Sequence, residues 1–457
     1  MKQAVQKQKL DMLNGPLWNK IPQFALPVAA TAILEQLFNA SDIAVVGNFS
    51  GAASTIAVAA VGANSFVISL VVNFFIGIAL GANVVIANAI GREDEDAVHR
   101  AVHTAVVVAV LGGALVTVLG ELVAGPALRA LNVPAEVLPY ALLYLRIYLL
   151  GVPVILLYNF EAAIFRSVGD TRVPLQTLAF SGVLNVLLNL FFVIVLHMTV
   201  NGVATATVLS NAISSVLLFV RLRRSDKAIH LEWTALRIDR RSLQKILQIG
   251  IPAGIQSAVF SISNIVIQSA INSLGTVVMA ASSAAFNIEV VAYDVLNSFS
   301  QACTTFVGQN YGAGKLDRCR KTLVLCLVED ALASGIAILL VLGSGHFLLS
   351  LFNRDPEVIA LGYTRLMTVF TAYFFSMLYE VMSGYLRGFG ISLVPALLTM
   401  LGVCGVRILW IATAFPRSRT FQTILLAYPL SLAATAVLIL LALLIYHPSR
   451  RTKGEAV

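Results

Sequence analysis

Four polar side chains recur along one apolar stretch: Thr31, Glu35, Asn39 and Asp42, at i, i+4, i+8 and i+11. That spacing gathers them on one face of a helix. Two carboxyls and an amide on such a face can bind and release a cation, H+ or Na+. Glu35 and Asp42 stand two turns apart, roughly 10 Å by helical rise. They are too far apart to share one ion and read as a relay or a cavity wall. A second stripe, Ser181, Asn185 and Asn189, offers amide oxygens and donors that can meet Asp42. Further on, the string FNIEVVAYDVLNSFSQ puts Glu289 and Tyr293 on one helical face and Asp294, Asn297 and Gln301 on another. Acids there suit an organic cation, and Tyr293 adds an aromatic wall for it. Glu380 is a further cavity acid. Glu161, close to Arg166, reads as a charge at a helix end, and Glu329 and Asp330 receive no role.

No enzyme chemistry emerges. The six histidines are scattered and form neither a metal-ligand set nor a triad. Cys303, Cys319, Cys326 and Cys404 make no CxxC pair, and no disulfide framework is expected. The sequence carries no phosphate-binding loop, so ATP is not the energy source. The reading is a non-enzyme with no metal, no cofactor and no catalytic set.

The elements that position these residues follow from composition. Of 457 residues, 58% are hydrophobic and 12% charged, about half the charge of a soluble domain. That excludes a soluble enzyme, a disordered chain and a nucleic-acid-binding module. A hydrocarbon core about 30 Å thick needs roughly 20 apolar residues per helix. Runs of that length fall near 21–46, 55–88, 101–123, 138–163, 173–196, 202–220, 246–272, 277–307, 322–342, 358–384, 393–415 and 423–446. The fold class is all-α integral membrane with twelve transmembrane helices. With both termini in the cytoplasm, 24 of the 31 Lys and Arg face that side, as the positive-inside rule requires. The polar first 20 residues precede an uncleaved anchor.

Glu35, Asp42, Glu161, Glu289, Asp294, Glu329, Asp330 and Glu380 all fall inside these runs, against Arg146, Arg365 and Arg407. Each costs about 2.5–3.5 kcal/mol at a helix centre on insertion scales. The excess points to protonated carboxyls or to a wet, cation-attracting cavity.

The two halves repeat. Gly91 falls on Gly312, Asp96 on Asp317, Arg166 on Arg387 and Pro174 on Pro395, each at an offset of 221. Pro27 falls on Pro252 at 225, and Asn64 on Asn287 at 223, a pair that reads as structural. Six helices per half make the repeats parallel: N and C bundles around a central cleft, with rocking that gives alternating access. The boundaries are a cytoplasmic tail at 1–20, bundles at 21–220 and 246–446, a basic solvated linker at 221–245 and a tail at 447–457.

Six plus six helices, GQNYGAG after helix 8, LRGFG after helix 10 and QLFNASDIAVVGN in helix 1 resemble the multidrug and toxic compound extrusion (MATE) family over nearly the whole chain. The resemblance implies efflux of amphipathic organic cations in exchange for H+ or Na+. It places Asp42 as the cation-binding acid, helped by Glu35, Asn39, Asn185 and Asn189, with Pro27 as the hinge of helix 1. Substrate would meet Glu289, Tyr293, Asp294, Asn297 and Glu380. Archaeal members carry an acid where Asn189 stands, and Vibrio-type members a glutamate where Phe260 stands. The neutral Asn189 leans the coupling ion towards H+, and Phe260 means that the Vibrio-type site is absent. The partners implied are small organic molecules and the lipid bilayer, with no nucleic acid, in a monomer of the bacterial inner membrane. Two alternatives stay open. A lipid-linked oligosaccharide flippase would want cationic rather than acidic lining, and a membrane-embedded transferase would want an aspartate-rich metal motif, to which EDED at 93–96 is the nearest run.

Overall fold

A computed structural model of the chain describes residues 10–51, 54–131, 133–225 and 228–448. Residues 1–9 of the N-terminal tail and the C-terminal tail from 449 lie outside the described residues.

Lipid offers the backbone no hydrogen-bond partner, so a spanning segment must satisfy its own N–H and C=O groups. Twelve helices long and apolar enough to cross a membrane meet that demand: α1 (Lys20–Phe49), α2 (Ser54–Gly91), α3 (Glu95–Ala130), α4 (Leu138–Ser167), α5 (Arg172–Val195), α6 (Val200–Arg223), α7 (Arg240–Asn272), α8 (Thr276–Gly312), α9 (Leu316–Ser350), α10 (Pro356–Gly388), α11 (Leu393–Thr413) and α12 (Phe421–Tyr446). No strand occurs among the described residues. Several helices begin a turn or two before their apolar run because polar residues cap them. Asp94 accepts from the Ala97 amide at 2.9 Å to start α3, and Asp239 accepts from the Ser242 amide at 2.8 Å at the head of α7.

The chain forms two compact units. The N-terminal unit comprises Ala30–Ile90 and Asp94–Gly250; the C-terminal unit comprises Leu10–Ala29, Gly91–Glu93 and the described residues from Ile251 onward. The division therefore cuts α1 between Ala29 and Ala30 and α7 between Gly250 and Ile251. The two cuts are related by the repeat offset, 251 minus 30 being 221. Pro27 and Pro252 lie inside α1 and α7, each within three residues of its cut. A proline removes one helical hydrogen bond and loosens the helix at that point.

Inside the units the repeat is physical. In the N-terminal unit Asn83 on α2 donates its side-chain amide to the Ala163 carbonyl on α4, at 3.1 Å. In the C-terminal unit Thr304 on α8 donates its hydroxyl to the Gly384 carbonyl on α10, also at 3.1 Å. Both pairs are related by 221. At Gly384 the helices approach so closely that a Cβ would lie 2.5 Å from the Ser300 carbonyl oxygen, so only glycine fits. Asn64 bonds the Ala60 and Ala141 carbonyls at 2.8 and 2.9 Å and ties α2 to α4. Its repeat partner Asn287 is exposed and bonds within its own helix, to the Ser283 carbonyl.

Two stretches expected to be solvated are docked. In the linker, Ile229 and Leu231 are buried in the core of the N-terminal unit. The Glu232 amide donates to His103 Nε2 at 3.0 Å, and the Asp239 amide to Thr104 Oγ1 at 3.0 Å. The described Arg and Lys residues of the linker are exposed, while the two buried aliphatic residues supply apolar surface that holds it against the N-terminal unit. In the N-terminal tail, Met12 and Leu17 join the core of the C-terminal unit. The Met12 carbonyl accepts from Asn310 Nδ2 and Arg318 Nε.

The Ser242 amide holds the Asp239 carboxyl below the usual carboxylate range. A lowered folded-state pKa contributes stability above the unfolded pKa of about 3.9 and loses it as pH falls through the folded value. Asp239→Ala is expected to lower thermal stability at pH 7 by about 0.5–2 kcal/mol. The variant and wild type should converge as the pH falls through the lowered folded-state pKa of Asp239, read by thermal unfolding in detergent. Gly384→Leu, which drives a side chain into Ser300, should abolish folded yield.

Candidate functional site

Asp42 is 5% exposed in α1, and both of its oxygens have partners in the N-terminal unit. Asn189 on α5 donates Nδ2 to Oδ1 at 2.6 Å. Thr207 on α6 donates its hydroxyl to Oδ2 at 2.9 Å. Asn189 Nδ2 also reaches Asn185 Oδ1 at 3.2 Å. No cation stands within 4.0 Å of this carboxyl among the described residues.

Two details make the arrangement chemically open. Only Nδ2 of Asn189 can donate to a carboxylate, so the amide orientation is fixed and its Oδ1 is left buried without a hydrogen-bond partner. Thr207 Oγ1 lies 2.9 Å from Asp42 Oδ2 and 2.9 Å from the Val203 carbonyl. Its single hydrogen can serve one of them at a time. When Asp42 is ionised, the hydroxyl donates to it. When Asp42 carries a proton, it can donate to Oγ1 while the threonine turns its hydrogen to Val203. The carboxyl and the hydroxyl suit H+ as they stand, whereas a hard cation would also need the Asn189 amide to turn its Oδ1 towards the carboxyl.

The α5 stripe is buried as the spacing predicts, with Ser181 against Ser214 and with Asn185 and Asn189 beside Asp42. Directly after Leu190 the helix widens into a π turn, Phe191–Val195. Such turns re-aim the side chains around them.

The α1 stripe divides. Glu35 and Asn39 are exposed, while Thr31 and Asp42 are buried. Asn39 is rotated about 60° around the helix from Asp42 at 100° per residue. Glu35 shares the Asp42 face, but α5 and α6 cover that face at the level of Asp42. Glu35 remains within electrostatic reach of Arg166 and Tyr158. Tyr148 lies within reach of both Asp42 and Glu35.

Glu161 is a correction to the sequence reading. It is fully buried rather than a helix-end charge, accepts from Ser215 Oγ at 3.0 Å and leaves Oε1 without a partner. Its position on α4 faces α6, a pairing that one-dimensional spacing does not reveal.

The C-terminal unit organises its charges differently. Arg365 on α10 grips Glu289 on α8 in a bidentate pair, Nε to Oε1 at 2.6 Å and Nη2 to Oε2 at 2.8 Å. Ser282 and Tyr428 accept two of its three remaining hydrogens at 2.6 and 3.3 Å. Glu289 is therefore neutralised and presents no net charge to a substrate. Tyr293, one turn on, donates instead to Glu380 at 3.0 Å, and its ring lies 6.5 Å from that of Tyr373. Asp294 and Asn297 are half-buried on the adjoining face. Asp330 is fully buried with one oxygen bonded by Ser334 at 2.6 Å and the other without a partner.

Sequence reasoning missed Thr207, Tyr428 and the Arg365 pairing. Thr207 heads a polar stripe of α6, with Ser210, Asn211 and Ser214 at i+3, i+4 and i+7, so the helical spacing that singled out α1 and α5 carried a signal here too. The arginine was visible, but its partner lies 76 residues away.

A family model described as MatE matches residues 27–191 and 252–412. The chain is 26% identical over 401 residues to the probable multidrug resistance protein YoeA of Bacillus subtilis, covering 86% of each. It is 26% identical over 446 residues to the probable multidrug resistance protein NorM of Thermotoga maritima, covering 95% of this chain and 93% of the relative. The fold superposes with a TM-score of 0.89 on a solved outward-facing multidrug resistance MATE family transporter of the MOP superfamily, at 19% identity, over 98% of this chain and 99% of that one.

Arg365→Gln leaves a buried carboxylate alone and is expected to cost about 3–5 kcal/mol. Arg365→Met combined with Glu289→Met should recover most of that loss. Thermal unfolding in detergent measures both, and equal destabilisation by the single and double variants would contradict the pairing.

Proposed function

The chain belongs to the multidrug and toxic compound extrusion family, and on that premise we propose that it is a secondary antiporter. It exports amphipathic, cationic organic compounds in exchange for inward H+ or Na+. The observation that carries this reading is Asp42: a buried carboxylate bonded only by neutral donors, beside an amide oxygen with no partner of its own. A group in that state gains from a proton or a small cation, and it changes its hydrogen bonds when it takes one.

The neutral Asn189 favours H+ over Na+. Protonation needs only the Thr207 hydrogen to turn to Val203. A sodium ion would require the Asn189 amide to rotate its Oδ1 towards Asp42. Glu35, two turns towards the cytoplasmic end of α1 from Asp42, serves as the second station of a relay, with Tyr148 within reach of both acids. Asn39, on the exposed side of α1, and Asn185, behind Asn189, complete the polar surroundings. Pro27 acts as the hinge, since α1 loses a backbone hydrogen bond there, next to the point where the helix passes from one compact unit to the other. Substrate meets the α8 face of Tyr293, Asp294 and Asn297 and the acid Glu380. Glu289 contributes through its pair with Arg365, by fixing α10 against α8 rather than by its charge. Both termini and the basic linker lie on the cytoplasmic side of the bacterial inner membrane, and the transporter works as a monomer without a cofactor.

Ethidium efflux from energised cells lacking their own pumps tests the reading, with and without a protonophore and a Na+ gradient. Asp42→Asn is expected to reduce efflux at least tenfold at unchanged membrane expression. Thr207→Ser should retain efflux and Thr207→Val should impair it. Efflux indifferent to Asp42, or to both gradients, would overturn the proposal.

A further inference from the structure

Arg407 on α11 is a buried guanidinium, 6% exposed, with only neutral partners. Its Nε donates to Ser431 Oγ at 3.1 Å, and its Nη1 makes a long 3.5 Å contact with Asn264 Oδ1. Its face rests on the Tyr428 ring, 4.5 Å from the centroid. Among the described residues Nη2 has no acceptor, and no carboxylate lies within 4.0 Å. The contrast with Arg365 is direct. That guanidinium approaches the same Tyr428 ring at 5.3 Å but is neutralised by Glu289. Two cations thus share one ring and one acid, and the surplus positive charge resides on Arg407.

Local backbone geometry builds this placement. A π turn, Met400–Gly405, ends two residues before Arg407 and shifts its register around α11. Gly402 lets α11 close onto α12, since a Cβ there would lie 2.2 Å from Thr435 Oγ1. That approach brings Arg407 to Tyr428 and Ser431. With Nε held by Ser431 and the face held by Tyr428, the open part of the guanidinium is its Nη1–Nη2 edge. Two parallel N–H donors on that edge match a carboxylate. Asn264, beside it on α7, is exposed, so the cluster is not sealed.

We propose that Arg407, with Asn264, Ser431 and Tyr428, is a substrate subsite that accepts a carboxylate, so that the transporter takes zwitterionic amphipaths as well as plain cations. The aromatic part of such a molecule stacks near Tyr428, and its anionic end pairs with Arg407. The subsite rests on the export reading above and extends it from charge-attracting acids to a matched pair of opposite charges.

Two dyes with the same xanthene ring decide it. Rhodamine 110 carries a free carboxylate, and rhodamine 123 is its methyl ester. Binding of each to the purified protein in nanodiscs of net-neutral lipid is read by fluorescence polarisation. Arg407→Gln is expected to weaken rhodamine 110 at least tenfold and rhodamine 123 less than twofold, with Arg407→Lys in between for rhodamine 110. On the wild type, benzoate should displace rhodamine 110 and leave rhodamine 123 bound. The benzoate competition stands by itself should Arg407→Gln fail to fold. Equal weakening of both dyes assigns Arg407 a purely structural role and overturns the subsite, as does rhodamine 110 that neither benzoate nor the variant affects. If the wild type binds rhodamine 123 and not rhodamine 110, the anion subsite alone falls. If it binds neither, the export reading falls with it.

Discussion

A charge inside a membrane must be matched where it stands, because water and salt are absent to do it. That constraint organises this protein more than any single contact. Arg365 and Glu289 meet it fully, with two short hydrogen bonds between the charges and two more to Ser282 and Tyr428. Asp42 meets it only in part, through the neutral donors of Asn189 and Thr207. The difference separates a brace from a switch. A bidentate ion pair has little to gain from a proton, whereas a carboxylate bonded by an amide and a hydroxyl can take one and redistribute the bonds.

The two repeats show how one scaffold came to hold both. The bonds Asn83 to Ala163 and Thr304 to Gly384 stand at the same offset and the same length, although one uses an amide and the other a hydroxyl. They fix equivalent helix pairs, and equivalent positions are free to diverge elsewhere. Thus α1 carries Asp42, while α7 carries Ser263, 221 residues on, and no acid. The intramembrane charges of the C-terminal unit lie instead on α8, α9, α10 and α11. Among the described residues each unit also has one π turn, near Asn189 in one and just before Arg407 in the other. In both, the widened turn adjoins the residue whose direction the proposed chemistry depends on.

Much of the architecture was legible in the chain. Continuous apolar runs set twelve helices, since the bilayer dictates their length and the backbone must close its own hydrogen bonds. The internal repeat followed from glycines, prolines and charges at one offset. Asp42 and the α5 amides could be singled out because polar groups at helical spacing in an apolar segment need a protein interior to face.

What the chain alone did not determine is which charge meets which. Glu289 and Tyr293 share a helical face, yet one is taken by Arg365 and the other by Glu380, both from α10. Glu35 and Asp42 share a face too, yet only Asp42 is covered, because α5 and α6 pass at its level. Glu161 looked peripheral beside Arg166 and is fully buried against Ser215. Periodicity specifies direction around one helix axis. Depth along it, and the partner found there, are set by the packing of helices that are distant in sequence.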